Sequence, residues 1–535
     1  MSEDIQKFIA EFENKFSVLS KKFNLAYFTA TTTGEKGEFE KVSKYNLEIS
    51  KLLSSQNDFQ KIKEFKERIN NKDPLLKRQV ELIYNDYAGN QYDEKLHTDI
   101  ITLQTRVEEK YSTFRAKIGD ETYTDNEIDD KLNMSTDSDE LKKFWEASKI
   151  ISSVVGDDLV KLVKMRNESA RMLGFPDFYK MSLELNEQNH EDLDILFDEL
   201  DVLTRDKFIE LKDDVDNYLA DRLSISKDDL MIWHYQDKYF QQGPRFYDVE
   251  YDELFKDVNI EYVCRNYFDS INLNIDDIIA ASDLYERKNK YQHAYCTEID
   301  RDGDIRILCN IKPNHKWMNA ILHESGHAAY DKYVDRSLPW VMRRYSHLFT
   351  TESIALLFGH MTYKPAWLAE NLNLGNEEVE KIGDKAFKTL MLEQMTFSRW
   401  AQVMYRFERM MYENPDQDLN KLWWDMVEKY QMIKRPENRD MPDWASKIHL
   451  ALYPAYYHNY ILGELLASQL YYHIVTEVLG QAYNNDESFT SRKEVGEFLK
   501  QEFFFHGAGL HWNDLIKSAT GEYLSPKYYA KQFVD

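Results

Sequence analysis

The sequence predicts an all-α fold. Its 535 residues include only 18 glycines and 11 prolines, well below the average share of about 12 per cent for these two helix-breaking residues. Through residues 1–270, apolar side chains recur at intervals of three and four, which is the spacing of one face of a helix. No linker rich in proline, glycine or serine interrupts the chain. We therefore expect one domain over residues 1–535.

The two halves of the chain differ in character. Charged amphipathic helices are predicted for the first half, for example over residues 5–23, 141–172 and 192–219. Three of the 14 histidines lie before residue 290 and 11 lie after it. We therefore expect residues 1–270 to be mainly helical scaffold and residues 271–535 to carry the functional site.

One β-hairpin is predicted, over residues 295–309. The run Asp300-Arg301-Asp302-Gly303-Asp304 is a turn signal between two short segments that are richer in apolar residues. Helices are expected to resume at about Trp317.

Composition excludes several kinds of partner. The formal net charge of −26 disfavours nucleic acid, which requires a basic surface, and anionic membranes. No run of about 20 apolar residues is present, and the acidic start lacks the apolar segment of a signal peptide. Three cysteines give no disulfide framework. We expect a cytoplasmic protein, a monomer or weak dimer, that binds neither nucleic acid nor membranes.

His323, Glu324 and His327 form an H-E-x-x-H motif in a helix-competent segment. Histidines four residues apart lie on one helical face, where both imidazoles reach a single Zn²⁺ at about 2.0–2.1 Å. The glutamate lies beside the metal, where it can take a proton from the attacking water. Residue frequencies give roughly one chance in thirty of such a motif in a chain like this, so a further ligand is needed to support it. The motif predicts a zinc hydrolase with one Zn²⁺ per chain.

Glu352 is the candidate for the third ligand. Catalytic zinc commonly takes three protein ligands and keeps a fourth position open, and Glu352 opens a second apolar helix downstream of the motif. The alternative is a carboxylate that stabilises the start of this helix through the helix dipole. No third histidine follows at the spacing of the metzincin motif, which disfavours that class.

The motifs together resemble the angiotensin-converting-enzyme family of zinc peptidyl dipeptidases, in a single-domain form. The resemblance runs through most of the chain, and its most specific motifs lie in the second half. In chain order these are Trp233-His234-Tyr235-Gln236, His293-Ala294, the H-E-S-G-H segment, Thr351-Glu352-Ser353-Ile354, Lys447-Ile448-His449 and Tyr457-His458-Asn459-Tyr460. The resemblance implies that His323, His327 and Glu352 bind zinc and that Glu324 is the general base.

It also implies how a peptide substrate is held at its C-terminus. Gln236, Lys447 and Tyr457 are expected to bind the terminal carboxylate. The spacing before Tyr460 is one residue longer than in the family, so Tyr456 could replace Tyr457. The bound carboxylate fixes the position of the peptide relative to the zinc, so the protein is expected to release C-terminal dipeptides from oligopeptides.

The remaining roles concern the substrate backbone and the reaction. His293 and His449 are expected to hydrogen-bond the peptide backbone, and Tyr460 is expected to stabilise the oxyanion. Ala294 is expected to pair its main chain with the substrate, as an added strand does.

The implied fold is a large helical ellipsoid with a deep central cleft and the hairpin near the active site. One departure is Leu356, which stands where the family has an aspartate one turn after the third ligand. Asp331 or a backbone carbonyl could then orient a zinc histidine.

Two other functions remain open. A related zinc oligopeptidase or carboxypeptidase would use the same helical cleft, and a degenerate peptide-binding protein would have no activity. Product masses separate the enzymes from one another, and zinc quantification tests the binding protein.

Overall fold

Helices dominate the computed structural model, which describes residues 2–69, 72–247 and 251–535. About 70 per cent of it is helix and 3 per cent is strand, and the sheets in the described ranges are two-stranded. The predicted all-α fold with a small hairpin is therefore confirmed.

The chain divides into two compact units. Unit 1 comprises Met1–Gln91, Val249–Phe387 and Leu462–Gln532; unit 2 comprises Tyr92–Asp248, Lys388–Ile461 and Phe533–Asp535. One domain over residues 1–535, shaped as an ellipsoid with a central cleft, stays a prediction.

The α-helices and strands follow in chain order. They are α1 Ser2–Thr33, α2 Lys36–Leu53, α3 Gln56–Arg68, α4 Pro74–Ala88, α5 Glu94–Thr113, β1 Ala116–Ile118, β2 Glu121–Tyr123, α6 Asp125–Met134, α7 Ser138–Met172, α8 Phe178–Leu185, α9 His190–Leu223, α10 Tyr251–Phe255, α11 Ile260–Ser270, α12 Asp276–Ala281, β3 Tyr295–Glu298, β4 Ile305–Leu308, α13 His315–Tyr333, α14 Leu348–Gly359, α15 Pro365–Leu372, α16 Asn376–Glu413, α17 Leu419–Met426, α18 His449–Leu452, α19 His458–His473, α20 Lys493–Phe498, α21 Trp512–Thr520 and α22 Lys527–Phe533.

Short 3₁₀ and π-helical segments occur between these elements. The 3₁₀ segments are Lys227–Asp229, Ile232–His234, Trp340–Met342, His360–Tyr363, Asp443–Ser446 and Gly507–Gly509, and the π segments are Val427–Gln431, Ile474–Val478 and Leu499–Phe504.

Capping residues explain where several helices begin. Asp73 precedes α4 and accepts a hydrogen bond from the backbone N–H of Leu76 at 3.0 Å, which satisfies a donor that the first turn leaves free. Asn314 does the same for α13 through the N–H of Trp317, also at 3.0 Å. The predicted helices over 5–23, 141–172 and 192–219 are confirmed, since they lie within α1, α7 and α9.

The core of unit 1 includes a cluster that joins α1 to α4. Ile9, Val80, Ile83 and Met342 are almost fully buried in it, and burying such side chains stabilises the fold by about 1.5–3 kcal/mol each. In the described part of the chain, no helix is both long enough and apolar enough to cross a membrane.

The predicted hairpin is confirmed as β3 and β4. These strands pair antiparallel, with Tyr295 opposite Leu308 and Glu298 opposite Ile305. The expectation of only one hairpin was wrong, because β1 and β2 form a second one around Gly119, which has a φ of 63°. Each of its strands has three residues, too few for an alternating pattern to stand out among charged neighbours.

Candidate active site

The three predicted metal ligands meet in unit 1. Helix α13 carries His323 and His327, and α14 carries Glu352 in its first turns. The Nε2 atom of His323 lies 3.7 Å from one carboxylate oxygen of Glu352, and the Nε2 atom of His327 lies 3.5 Å from the other. All three ligand atoms lie within 4.8 Å of one another. The two histidines and the glutamate therefore form one compact donor set of two nitrogens and one oxygen.

This donor set fits zinc. Two ligands at about 2.05 Å from a tetrahedral ion lie roughly 3.3 Å apart, close to the separations of Glu352 from the two imidazoles. Burial alone would raise the pKa of Glu352, but the neighbouring side chains of His327 and His323 lower it to about 2. The carboxylate is thus ionised, as a metal ligand must be.

Gly326 allows the two ligand helices to pack this closely. A Cβ atom at this position would lie 2.8 Å from the Cα atom of Ala355 and 2.9 Å from the carbonyl oxygen of Ile354. Both contacts are to the backbone of α14, which cannot move aside as the end of a flexible side chain can. The glycine of the H-E-S-G-H motif therefore sets the distance between the helix with two histidines and the helix with Glu352.

Gly326→Ala is expected to separate α13 from α14, weaken zinc binding and destabilise the protein by about 1–3 kcal/mol, the usual cost of overpacking. Thermal unfolding of the metal-free protein and a zinc titration measure the two effects. Gly37→Ala is the matched control, because a Cβ atom on Gly37 in α2 meets nothing within 4 Å. Equal zinc affinity in the Gly326 variant and the control would contradict the role given to Gly326.

Glu324 lies beside the ligands, with its side chain enclosed. It is 8 per cent exposed, and burial raises its pKa to about 7. The charge of His323 opposes this rise, the charge of Glu352 adds to it, and the backbone N–H of Cys296 lowers the pKa by donating a hydrogen bond to the carboxylate. Glu324 is therefore anchored to strand β3 as well as to its own helix.

Strand β3 has one edge that does not pair with β4. Ile307 on β4 directs its backbone groups away from β3, because its N–H donates to Ser282 and its carbonyl accepts from the N–H of Asp283. Cys296 is the register partner of Ile307, so the backbone groups of Cys296 also point away from the ladder. Ala294 lies two residues earlier and shares that edge. The register thus places the backbone of Ala294 on the edge of the hairpin that faces away from β4. His293, the next residue back, is exposed.

A second group of predicted residues meets in unit 2, around Lys447. This lysine is 8 per cent exposed, and its Nζ atom donates to the side-chain oxygen of Gln241 at 2.6 Å. Its ammonium lies 5.2, 5.3 and 5.5 Å from the ring centres of Tyr239, Trp400 and Tyr457. Within the described ranges no carboxylate forms an ion pair with it. Lys447 is therefore a buried cation whose hydrogen-bond partner and aromatic contacts are neutral.

The glutamine that contacts Lys447 is Gln241, and the predicted Gln236 lies apart from this group. The side chain of Gln236 donates to the carbonyl of Asn133 at 2.9 Å and accepts from the N–H of Arg245 at 2.9 Å. Both of its polar ends therefore hold neighbouring backbone, and it does not line the cavity next to Lys447. Sequence comparison could have found Gln241 only by allowing a shift of five residues in a turn-rich segment.

Tyr457, one of the predicted residues, lies next to Lys447. The indole N–H of Trp400 donates to its hydroxyl oxygen at 2.7 Å, which leaves the hydroxyl proton for another acceptor. The rings of Tyr460 and His449 each lie 5.2 Å from the ring of Tyr457. Tyr457, rather than Tyr456, is therefore the tyrosine placed against the lysine.

His449 is neutral near pH 7. Burial, together with the charge of Lys447, lowers its pKa to about 4. Its Nδ1 atom is buried and has no hydrogen-bond partner in the part of the chain that the structure describes. A cavity of about 390 Å³ in unit 2 is lined by His449, Lys447 and Gln241, and by residues of α5, α6 and α7. The polar groups predicted to bind substrate thus border an open space.

His327 has a hydrogen-bond partner, Thr351, that the sequence did not single out. Its Nδ1 atom lies 2.8 Å from the hydroxyl of Thr351. For this histidine the partner is therefore neither Asp331 nor a backbone carbonyl. The only signal in the sequence was the position of Thr351 directly before Glu352.

Comparisons with known proteins agree with this geometry. Residues 280–535 match the model of peptidase family M3, and residues 1–206 match the model of the angiotensin-converting-enzyme family. Carboxypeptidase 1 of Bacillus subtilis (strain 168) is 22 per cent identical over 275 residues, which cover 45 per cent of this chain and 52 per cent of that protein. The chain thus spans about half the length of this curated relative.

The two family matches cover different parts of the chain, one at each end. The resemblance to angiotensin-converting enzyme is confirmed, and the M3 match covers His323, His327 and Glu352. Both families are zinc metallopeptidases, so zinc is the expected metal. With the geometry of the three ligands, these matches support a zinc metallopeptidase that is similar to peptidase family M3 and to the angiotensin-converting-enzyme family.

Proposed function

We propose that this metallopeptidase releases dipeptides from the C-termini of oligopeptides, with one zinc ion per chain. The observation that carries the proposal is Lys447, a buried cation without a carboxylate partner among the described residues. Burial lowers the pKa of Lys447 to about 8, with Asp237 opposing the shift. A charge in such a place is costly unless it is paired. The terminal carboxylate of a peptide is the chemical group that supplies the missing charge.

Three groups would share that carboxylate. Lys447 gives it a charged hydrogen bond, the strongest kind available to a carboxylate. Tyr457 has its hydroxyl proton available, and the amide of Gln241, whose oxygen accepts from Lys447, can donate through its nitrogen. This set recognises a free C-terminus and discriminates against an amide, which brings no negative charge.

The residues of unit 1 would perform the hydrolysis. Zinc held by His323, His327 and Glu352 supplies a Lewis acid for the carbonyl and lowers the pKa of water. Glu324 takes the proton from the attacking water and gives it to the leaving amine. Ala294 pairs its main chain with the peptide, and His293 contacts the peptide backbone.

Two residues of unit 2 are assigned the remaining roles that the family resemblance implies. Tyr460 donates a hydrogen bond to the oxyanion. Neutral His449 can hydrogen-bond the peptide backbone without adding a second positive charge beside Lys447. The family resemblance implies that the scissile bond lies two residues from the bound carboxylate, so that each cycle releases a dipeptide.

The carboxylate preference is tested with a blocked tripeptide and its C-terminal amide. We expect kcat/KM for the free acid to exceed that for the amide by about 10²-fold, since hydrogen bonds to charged groups contribute about 1.5–3 kcal/mol. Equal cleavage of the two peptides would exclude a carboxylate anchor.

A carboxypeptidase is the second candidate, because the curated relative carries that name. Release of single residues would also anchor the peptide by its carboxylate, so the amide experiment does not separate the two. The masses of the products do, since each cycle removes one residue or two.

A further inference from the structure

We infer that Thr351 is the positioning residue that fixes the tautomer and ring orientation of His327. The Nδ1 atom of His327 lies 2.8 Å from the Thr351 hydroxyl, and the Nε2 atom on the other side of the ring faces Glu352 at 3.5 Å. Thr351 is 4 per cent exposed, so solvent cannot easily replace its hydroxyl.

The donor and the acceptor in this contact follow from the requirements of metal binding. Nε2 must be unprotonated to bind a metal, so in the neutral ring the proton is on Nδ1. Nδ1–H then donates to the oxygen of Thr351. Such a bond holds the imidazole plane in place and selects the tautomer with its lone pair on the metal side.

Backbone placement makes Thr351 suited to this task. It directly precedes Glu352 in α14, so one short stretch of helix supplies a ligand and the group that orients another ligand. Threonine is β-branched, which restricts its χ1 angle in a helix and limits the positions of its hydroxyl. The close packing of α13 on α14 at Gly326 brings the hydroxyl within reach of His327.

A hydroxyl here replaces the carboxylate that more often orients a zinc histidine. Leu356, one turn after Glu352, is apolar. Asp331 lies one turn after His327, and the charges that bear on its carboxyl are those of Glu298, Arg336 and Arg301. The hydroxyl is neutral, so it orients the ring without adding negative charge next to Glu324 and Glu352.

Zinc affinity of the metal-free protein, measured by competition with a chromogenic chelator, tests this role. Thr351→Val keeps the shape and removes the acceptor, and it is expected to weaken zinc binding by about 10–100-fold. Thr351→Ser keeps the hydroxyl and is expected to stay within about threefold of the wild type. Zinc is titrated without a peptide, so the result is independent of which bond the protein cleaves.

Thr350→Val is the matched control. Thr350 is fully buried, and its hydroxyl donates to the carbonyl of His347 at the start of α14. This variant is expected to lower the melting temperature and leave zinc affinity unchanged. Wild-type affinity in Thr351→Val would overturn the role of Thr351. So would equal weakening in Thr351→Val and Thr351→Ser. If the valine variant does not fold, Thr351→Ala, which also removes the hydroxyl, takes its place in the comparison with Thr351→Ser.

Discussion

Glu324→Gln is expected to bind zinc as tightly as the wild type and to lose about 10²–10⁴-fold in kcat, the usual contribution of a general acid–base group. Glutamine keeps the size of the side chain and a carbonyl oxygen that can accept from the N–H of Cys296. It cannot take a proton from water or return one to the leaving amine. The three ligands are untouched, so the loss should fall on turnover.

Metal content and steady-state kinetics of the purified variant measure both parts of this expectation. Full zinc occupancy with an unchanged KM and a low kcat is the predicted combination. Activity close to that of the wild type would remove Glu324 as the base, and a loss of zinc would leave its role in the reaction undecided until the protein is reloaded.

Lys447→Met is expected to lower kcat/KM for a free-acid peptide by roughly 30–150-fold, the equivalent of about 2–3 kcal/mol. The amide of the same peptide has no negative charge to pair with Lys447, so kcat/KM for the amide should change by less than about threefold. Methionine is apolar and fills a similar volume, so removing the buried ammonium should keep the melting temperature level or raise it. A loss confined to the free-acid peptide, with a melting temperature that does not fall, distinguishes the loss of the carboxylate contact from damage to the fold.

Lys238→Met is the matched control for that experiment. Lys238 lines the same cavity, but its ammonium is paired with Asp125 at 2.6 Å and with Asp129 at 2.9 Å. A lysine that already has two carboxylates is not available to a substrate. If both variants reduced the preference for the free acid equally, the general charge of the cavity would explain the preference and Lys447 would have no special role.

The fold and the metal centre were predictable because both depend on regular spacing. The scarcity of glycine and proline, and the three- and four-residue periodicity, indicated the helices. His323 and His327 share a face whatever surrounds their helix, so local sequence determines their pairing. Glu352 was identified by the family resemblance as well as by its place in a second apolar helix.

Gln241 and Thr351 were missed for the opposite reason. Gln236 looked suitable in the sequence, but its backbone has a φ of 60° in a turn where its side chain holds Asn133 and Arg245. Thr351 acquires its role only because α13 and α14 pack closely enough to place it against a histidine 24 positions earlier. Both depend on tertiary contacts that no local pattern encodes.

The masses of the products from a blocked pentapeptide with a free C-terminus test the central claim most directly. The zinc-loaded protein is expected to remove two residues from the C-terminal end, giving a blocked tripeptide and a free dipeptide as the first products, and Glu324→Gln should leave the peptide intact over the same time. Release of single residues, or of fragments from internal cleavage that ignores the C-terminus, would contradict a peptidase anchored to release dipeptides.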